Sequence, residues 1–91
     1  MRGWIYCISC KDSNIDYEYI GSTNNFSRRV KEHKRLSKYK KRRLYNYIRK
    51  YGGWDNWQCD IIDYGNYESL KDLREKELKL IRLCNTYLNI M

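Results

Sequence analysis

The residues of this chain that could carry chemistry are two tyrosines, an arginine, a histidine and a glutamate: Tyr6, Tyr19, Arg29, His33 and Glu77. A guanidinium can neutralise a phosphate, a carboxylate can bind a hard divalent cation, and phenol and imidazole groups can move a proton. Each residue alone is weak evidence, because structural networks often contain the same groups. Their order and spacing along the chain are more specific, and these depend on the elements that position them.

The two tyrosines lie on two predicted strands. Residues 3–10 alternate between two faces and carry Tyr6, and residues 16–21 form a returning strand that carries Tyr19. The turn-forming residues 11–14 between them favour an antiparallel hairpin. Such a hairpin allows Tyr6 and Tyr19 to share one face of a sheet.

The arginine and the histidine lie on a predicted helix that follows the hairpin and runs to about residue 37. Its apolar residues form one stripe when plotted at about 100° per residue, and they are Phe26, Val30 and Leu36. Arg29 and His33 fall inside this stripe, whereas Arg28 points away and can pair with Glu32 four residues later. Periodicity thus selects Arg29 over its neighbour as the inward-facing guanidinium.

Three more elements complete the chain. A short second helix is marked by Leu44, Tyr47, Ile48 and Tyr51 and is stopped by Gly52 and Gly53. Residues 57–64 are rich in aromatic and β-branched side chains and predict a third strand, which Gly65 and Asn66 end in a turn. Residues 67–84 predict a last helix.

The glutamate lies at the centre of the apolar face of that last helix. The face consists of Leu70, Leu73, Leu80, Ile81 and Cys84. Glu77 sits among them, while Glu75 lies well off the face. A carboxylate in such a position costs several kcal/mol unless it is paired or bound to a metal. The alternative to a functional Glu77 is a buried ion pair with Arg74, three residues earlier.

Length and composition predict one soluble domain spanning residues 1–91. Apolar residues make up 42% of the chain and aromatic residues 15%, which favours a folded protein despite a mean hydropathy of −0.93. No stretch approaches the ~18 apolar residues of a membrane span, and no signal-peptide pattern is found. We therefore expect an intracellular protein.

Positive charge is concentrated in residues 28–50, which contain twelve Lys or Arg and one acidic residue, in a chain of net charge +8. Such a segment indicates binding to a polyanion more than to a membrane, because the apolar stripe needed for insertion is weak. The alternative is an ordinary solvated helix face. The residues expected to contact such a polyanion are Arg28, Lys31, Lys34, Arg35, Lys38, Lys40, Lys41, Arg42 and Arg43.

The four cysteines do not predict a disulfide framework or a zinc site. Cys7 and Cys10 have the spacing of half a zinc site, but an offset of three on a strand directs them to opposite faces. No second pair of cysteines or histidines completes a tetrahedron. Reduced, mostly packed thiols are expected.

The order of these segments resembles that of the GIY-YIG endonuclease superfamily over nearly the whole chain. The matching segments are residues 4–6, 19–23, 26–33, 51–52, 77–81 and 88–89, that is WIY, YIGST, FSRRVKEH, YG, ELKLI and LN. The chain departs from the pattern at Trp4, which replaces the first signature glycine and could alter the approach of DNA to the sheet.

The resemblance implies an α+β fold with a central three-stranded antiparallel sheet flanked by helices, and metal-dependent hydrolysis of DNA phosphodiester bonds. Glu77 would bind Mg²⁺ or Mn²⁺, and Arg29 would neutralise charge on the phosphate. Tyr6 would accept a proton from the attacking water or position it, and Tyr19 would bond the phosphate or order the water. His33 would supply positive charge or shuttle the proton.

Two further residues are expected to support the site, Gly21 in the second signature and Asn89 through backbone hydrogen bonds. The expected partner is DNA, with weak sequence preference unless an additional protein or a homodimer supplies specificity. Two other functions stay open. One is a non-catalytic DNA- or RNA-binding module with the same fold, and the other is an interaction domain that docks on an acidic protein.

Overall fold

A three-stranded antiparallel sheet in the order β2-β1-β3 forms the centre of the protein, seen in a computed structural model that describes residues 1–89. The strands are β1 (Arg2–Cys10), β2 (Glu18–Thr23) and β3 (Trp57–Asn66). Tyr6 pairs with Gly21 and Ile8 pairs with Tyr19 in the β1–β2 register, so both tyrosines lie on one face. The α+β fold and the hairpin predicted from the sequence are confirmed.

Three helices flank this sheet: α1 (Phe26–Leu36), α2 (Arg43–Lys50) and α3 (Leu70–Cys84). Helix α1 begins at the Asn25 cap, whose side chain accepts a hydrogen bond from the Arg28 amide at 3.1 Å. Helix α3 ends at Asn85, which adopts the left-handed conformation with φ of 51°. Two 3₁₀ turns, Trp54–Asn56 and Tyr87–Asn89, follow α2 and α3. Among residues 1–89, no helix has the length and apolar character needed to cross a membrane.

The alternating side chains of β1 bury both faces of the sheet, which creates two apolar clusters. The larger cluster contains Tyr6, Ile8, Cys10, Leu44, Tyr45, Ile48, Trp57 and Leu88. The smaller contains Ile5, Ile20 and Leu73, with Leu80 and Ile81 packed against them. Helices α1 and α2 therefore cover one face and α3 covers the other.

The end of β3 differs from the prediction. Gly65 and Asn66 do not form a turn, because they pair with Gly3 and Arg2 and extend the strand. The ladder continues to Tyr67, whose amide donates to the Met1 carbonyl at 2.7 Å. Helix α3 consequently begins at Leu70 rather than at residue 67, with the Ser69 side chain as its N-cap.

The basic segment between α1 and α2 is held in place by one arginine. The Arg49 guanidinium donates to the carbonyl groups of Ser37 and Lys40, at 2.8 Å in both cases. These bonds satisfy carbonyl groups that follow the end of α1. Arg49 thus fixes the loop that presents the lysines at positions 38, 40 and 41.

Close approach of Tyr6 to the backbone requires a glycine at position 21. A Cβ atom on Gly21 would lie closer than 3.0 Å to the buried Tyr6 ring, whereas one on Gly65 would meet nothing within 4 Å.

We expect Gly21→Ala to lower the free energy of unfolding by about 1–3 kcal/mol, the usual effect of overpacking. Gly65→Ala is the control and should change it by less than about 0.5 kcal/mol. Urea denaturation of both variants measures this, and equal stabilities would contradict the packing argument.

Candidate active site

An open cavity of about 340 Å³ lies along the free edge of β2. Its polar lining includes Tyr6, Tyr19, Arg29, Glu77 and Asn89. Residues from both layers of the fold reach it, because a sheet edge is the place where helices on opposite faces can approach one another. Four of the five residues expected to be catalytic therefore line one cavity, and the fifth, His33, lies directly behind Tyr6.

Arg29 enters the cavity from α1. Its side chain is 29% exposed, against 65% for Arg28, as the helical periodicity predicts. The Arg29 Nη1 atom lies 3.0 Å from Glu32, which Arg28 also contacts at 3.5 Å. Burial opposes the charge of Arg29, but Tyr6 and Glu32 on balance raise the pKa of its guanidinium. Arg29 is thus a permanent cation that Glu32 orients.

Glu77 enters the cavity from α3 on the other face of the sheet. Its side chain is half-buried, and within residues 1–89 it makes no ion pair with Arg74 or any other base. The alternative predicted from the sequence, an Arg74–Glu77 pair, is therefore not formed. Glu77 is close enough to Tyr19 for its charge, second to burial, to raise the pKa of that phenol.

Tyr6 is linked to a buried histidine. The Tyr6 hydroxyl lies 2.7 Å from His33 Nε2, and the Tyr45 hydroxyl lies 2.9 Å from His33 Nδ1. All three side chains are buried. A neutral imidazole has one donor and one acceptor nitrogen, so one phenol donates to the ring and the other accepts from it. The three groups form a continuous hydrogen-bonded chain that ends at the cavity.

The protonation states of His33 and Tyr6 follow from their burial. Burial, aided by the positive charges of Arg29 and Arg42, lowers the pKa of His33 to about 3. Burial also raises the pKa of Tyr6 far above its ordinary value, although Arg29 partly opposes the shift. At neutral pH the imidazole is uncharged and the phenol is protonated. Of the two roles expected for His33, the supply of positive charge does not fit this environment, and proton transfer stays a prediction.

Asn89 joins the segment that follows α3 to the edge strand. Its Oδ1 atom accepts from the Ile20 amide at 2.7 Å, and its Nδ2 atom donates to the Ile20 carbonyl at 2.8 Å. This pair satisfies the exposed backbone of β2, an edge that would otherwise be unpaired at this point. Asn89 thus closes one end of the cavity by bonding backbone, as the sequence led us to expect.

Three residues contribute to the site in ways that the sequence did not predict. Tyr45, not Tyr47, is the fully buried phenol of α2, and it is the second partner of His33. Its position three residues before Ile48 was the signal for an inward side chain. Arg42 and Arg74 line the cavity and add positive charge beside Arg29, although the sequence indicated Arg42 only as a general DNA contact.

The donor set of the cavity can be compared with what a divalent cation requires. Within residues 1–89 no group of three or more His, Cys, Asp or Glu side chains lies close enough together to enclose a metal. Glu77 is the carboxylate of the cavity. A hard ion such as Mg²⁺ keeps several waters and binds through one or two carboxylates plus substrate phosphates, so this single ligand fits it.

The cysteines and, apart from Arg42, the basic residues expected to contact DNA do not line the cavity. Cys7 packs on the α3 face of the sheet and Cys10 on the opposite face, so they cannot share one metal ion. Cys84 is exposed, contrary to the expectation that it packs on the apolar face of α3. Of the basic residues expected to contact DNA, Arg43 is half-buried and the others are exposed.

His33 is the single histidine of the chain, so its ionisation can be followed without overlap. Its pKa of about 3 lies below the value of about 6.5 expected when unfolded. The unfolded chain therefore binds a proton between these values and the native state does not. The free energy of unfolding should fall on acidification below pH ~6.5, by up to ~1.4 kcal/mol per pH unit.

Urea denaturation between about pH 6 and 4 should show this dependence of the free energy of unfolding on pH. His33→Gln keeps a hydrogen-bond donor and an acceptor, and in this variant the dependence should be smaller by the contribution of one bound proton. The imidazole resonances should stay at their neutral positions over the same range. Titration of the folded protein near pH 6.5 would contradict the assignment.

Comparison with known proteins identifies the family. A model of the GIY-YIG catalytic domain matches residues 2–89. No curated protein and no solved structure matches the chain. The match covers both signature strands, the arginine helix and the glutamate helix that meet at the cavity. The chain belongs to the GIY-YIG catalytic domain family, and membership implies nuclease activity in general.

Proposed function

We propose that this protein is a divalent-metal-dependent DNA endonuclease that hydrolyses phosphodiester bonds at the cavity along β2. The observation that supports this most strongly is the meeting of Arg29 and Glu77 in one cavity, although they come from helices on opposite faces of the sheet. Arg29 is paired with Glu32 at 3.0 Å, but Glu77 is half-buried and makes no ion pair within residues 1–89, which costs free energy. A cation would provide the partner that Glu77 lacks, and a substrate phosphate would lie between that cation and Arg29.

The guanidinium of Arg29 binds and orients the scissile phosphate. Its planar donors match two phosphate oxygens, and Glu32 holds it in place at 3.0 Å before substrate arrives. Arg42 and Arg74 line the same cavity and bring further positive charge to it. Such preorganised charge stabilises the negative charge that develops as water attacks phosphorus.

The Tyr6–His33–Tyr45 chain positions the attacking water. When Tyr6 donates to His33 Nε2, its oxygen can accept a hydrogen bond from a water in the cavity that it lines. Burial raises the pKa of Tyr6 and lowers that of His33 to about 3, so neither group keeps the proton that the water loses. That proton leaves to solvent through the open cavity.

Glu77 is the ligand for Mg²⁺ or Mn²⁺ in this proposal. A divalent cation there would act as a Lewis acid toward a phosphate oxygen. Tyr19, whose pKa is raised mainly by burial, remains a protonated donor that can bond the phosphate or order the water.

We expect Glu77→Ala and Arg29→Ala each to lower the rate of nicking of supercoiled plasmid by at least about a hundredfold, since each removes a charge that acts in the transition state. Glu75→Ala is the matched control on α3 and should nick at the wild-type rate. Arg28→Ala should weaken DNA binding by one phosphate contact and keep the maximal rate.

The assay is run with Mg²⁺, Mn²⁺ or EDTA. Nicking that persists in EDTA, or in purified and folded Glu77→Ala, would refute the proposal. A gel shift without nicking would instead indicate a non-catalytic DNA- or RNA-binding module, and neither a shift nor nicking would indicate a domain that docks on an acidic protein.

Affinity should come mainly from phosphate contacts of the basic segment, with weak sequence preference unless an additional protein or a homodimer contributes. Each lysine that contacts phosphate changes the slope of log K against log salt concentration by about 0.9. Replacing Lys40 and Lys41 by Gln should therefore reduce the magnitude of this slope by nearly two. Lys71→Gln with Lys79→Gln on α3 serves as the control and should leave it unchanged. Fluorescence anisotropy of a labelled duplex in EDTA measures both, and equal slopes would contradict the assignment.

A further inference from the structure

A second open cavity, of about 550 Å³, lies beside the candidate active site and is called the tyrosine groove here. It is lined by the beginning of β2, by the end of β1 and by the segment that follows α3, and the residues that matter are Asp16, Tyr17, Glu18, Asn85 and Tyr87. Its volume is in the range of cavities that enclose a small organic molecule. None of these residues has a part in the proposed chemistry.

One wall of the groove belongs to a cluster of four tyrosines. The Tyr17 ring lies 4.8 Å from that of Tyr47, 5.2 Å from that of Tyr87 and 6.0 Å from that of Tyr51. Tyr87 is 41% exposed, so part of its ring is accessible from solvent. The wall therefore offers aromatic surface to a ligand.

Two cations adjoin the same cluster. The Arg43 guanidinium lies 5.0 Å from the centre of the Tyr87 ring, and the Lys50 ammonium lies 5.4 Å from that of Tyr51. Aromatic rings interspersed with basic side chains are the combination that binds unpaired nucleic acid, because rings stack on bases while cations neutralise phosphates.

The groove itself contains carboxylates. Asp16 and Glu18 line it, and neither Arg43 nor Lys50 does. Carboxylates repel phosphate but accept hydrogen bonds from the exocyclic amino groups of bases. The charges thus direct a flat, uncharged base into the groove and leave its phosphates on the basic side of the cluster.

The groove and the active-site cavity are bounded by consecutive residues of the same two segments. Tyr17 and Glu18 line the groove, while Tyr19 and Ile20 line the active-site cavity. Tyr87 lines the groove, and Leu88 and Asn89 line the active-site cavity. Two residues of extended chain span about 7 Å, which is the length of about two base steps along one DNA strand.

We propose that the tyrosine groove binds an unpaired nucleobase within a few nucleotides of the scissile phosphodiester. The inference rests on the proposed endonuclease function and deepens it, because it names DNA with unpaired nucleotides as the preferred substrate. A base inside a regular duplex cannot reach such a groove without leaving the stack, whereas a base that is already unpaired reaches it at low cost.

Binding in EDTA tests the proposal without cleavage. Wild-type protein should bind a labelled duplex with one unpaired nucleotide about tenfold more tightly than the fully paired duplex, the factor expected from one base–aromatic stack. Tyr87→Ala should bring this ratio of affinities close to one. Tyr87→Phe, which keeps the stacking surface, should retain it.

Tyr64→Ala is the matched control, since Tyr64 is 66% exposed on β3 and lies outside the cluster. It should retain the wild-type ratio. The proposal would be overturned if the wild type bound both duplexes with equal affinity. It would also be overturned if the ratio of affinities persisted in Tyr87→Ala or was lost in Tyr64→Ala.

Plasmid nicking by the wild-type protein in Mg²⁺ separates this outcome from failure of the proposed function. Nicking without a preference for the unpaired nucleotide would refute the groove proposal and leave the endonuclease proposal standing. Absence of nicking would refute the endonuclease proposal, and with it the groove proposal that rests on it. A 2-aminopurine at the unpaired position adds a direct readout, since stacking on Tyr87 should quench its emission in the wild type more than in Tyr87→Ala.

Discussion

The hydrogen bonds of one buried imidazole tie the layers of this small protein together. His33 is 1% exposed, and both of its ring nitrogens bond to phenols, one on β1 and one on α2. An unsatisfied polar group at such depth would cost about 1–3 kcal/mol, so packing of α1 and α2 on the sheet depends on both tyrosines being present. The same bonds fix the Tyr6 hydroxyl at the wall of the active-site cavity. Gly21 follows from this arrangement, because the Tyr6 ring lies where a Cβ atom would otherwise be.

The second constraint is the position of β2 at the edge of the sheet. Tyr19 and Ile20 are neighbours on this strand, yet they belong to opposite faces and pack with different clusters. Only along an edge can one cavity receive side chains from helices on both faces. The free backbone of such an edge has to be satisfied, and Asn89 does this for Ile20 with two hydrogen bonds. The segment that closes the cavity is thus also the one that protects the edge strand.

Much of this arrangement could be predicted from local periodicity. A period of two placed Tyr6 and Tyr19 on one face, and a period of 3.6 separated Arg29 from Arg28. The errors occur where a distant partner overrides a local preference. Gly65 and Asn66 have the composition of a turn, but Gly3 and Arg2 across the ladder hold them in β3. Tyr45 became important only because His33 is buried and needs a second partner, a requirement that no local pattern of α2 expresses.

Periodicity does not predict the cavities, because a cavity depends on how elements from distant parts of the chain pack together. Residues 17–20 form a continuous extended segment, yet its first half lines the tyrosine groove and its second half lines the active-site cavity. The balance of charge differs between the two cavities: the guanidinium groups of Arg29, Arg42 and Arg74 outnumber the Glu77 carboxylate in the active-site cavity, while the carboxylates of Asp16 and Glu18 line the groove. A polyanion that follows both would therefore place its phosphate in one and an uncharged group in the other. In the endonuclease that we propose, this alternation of charge would select DNA by its pairing state rather than by base edges read in a duplex.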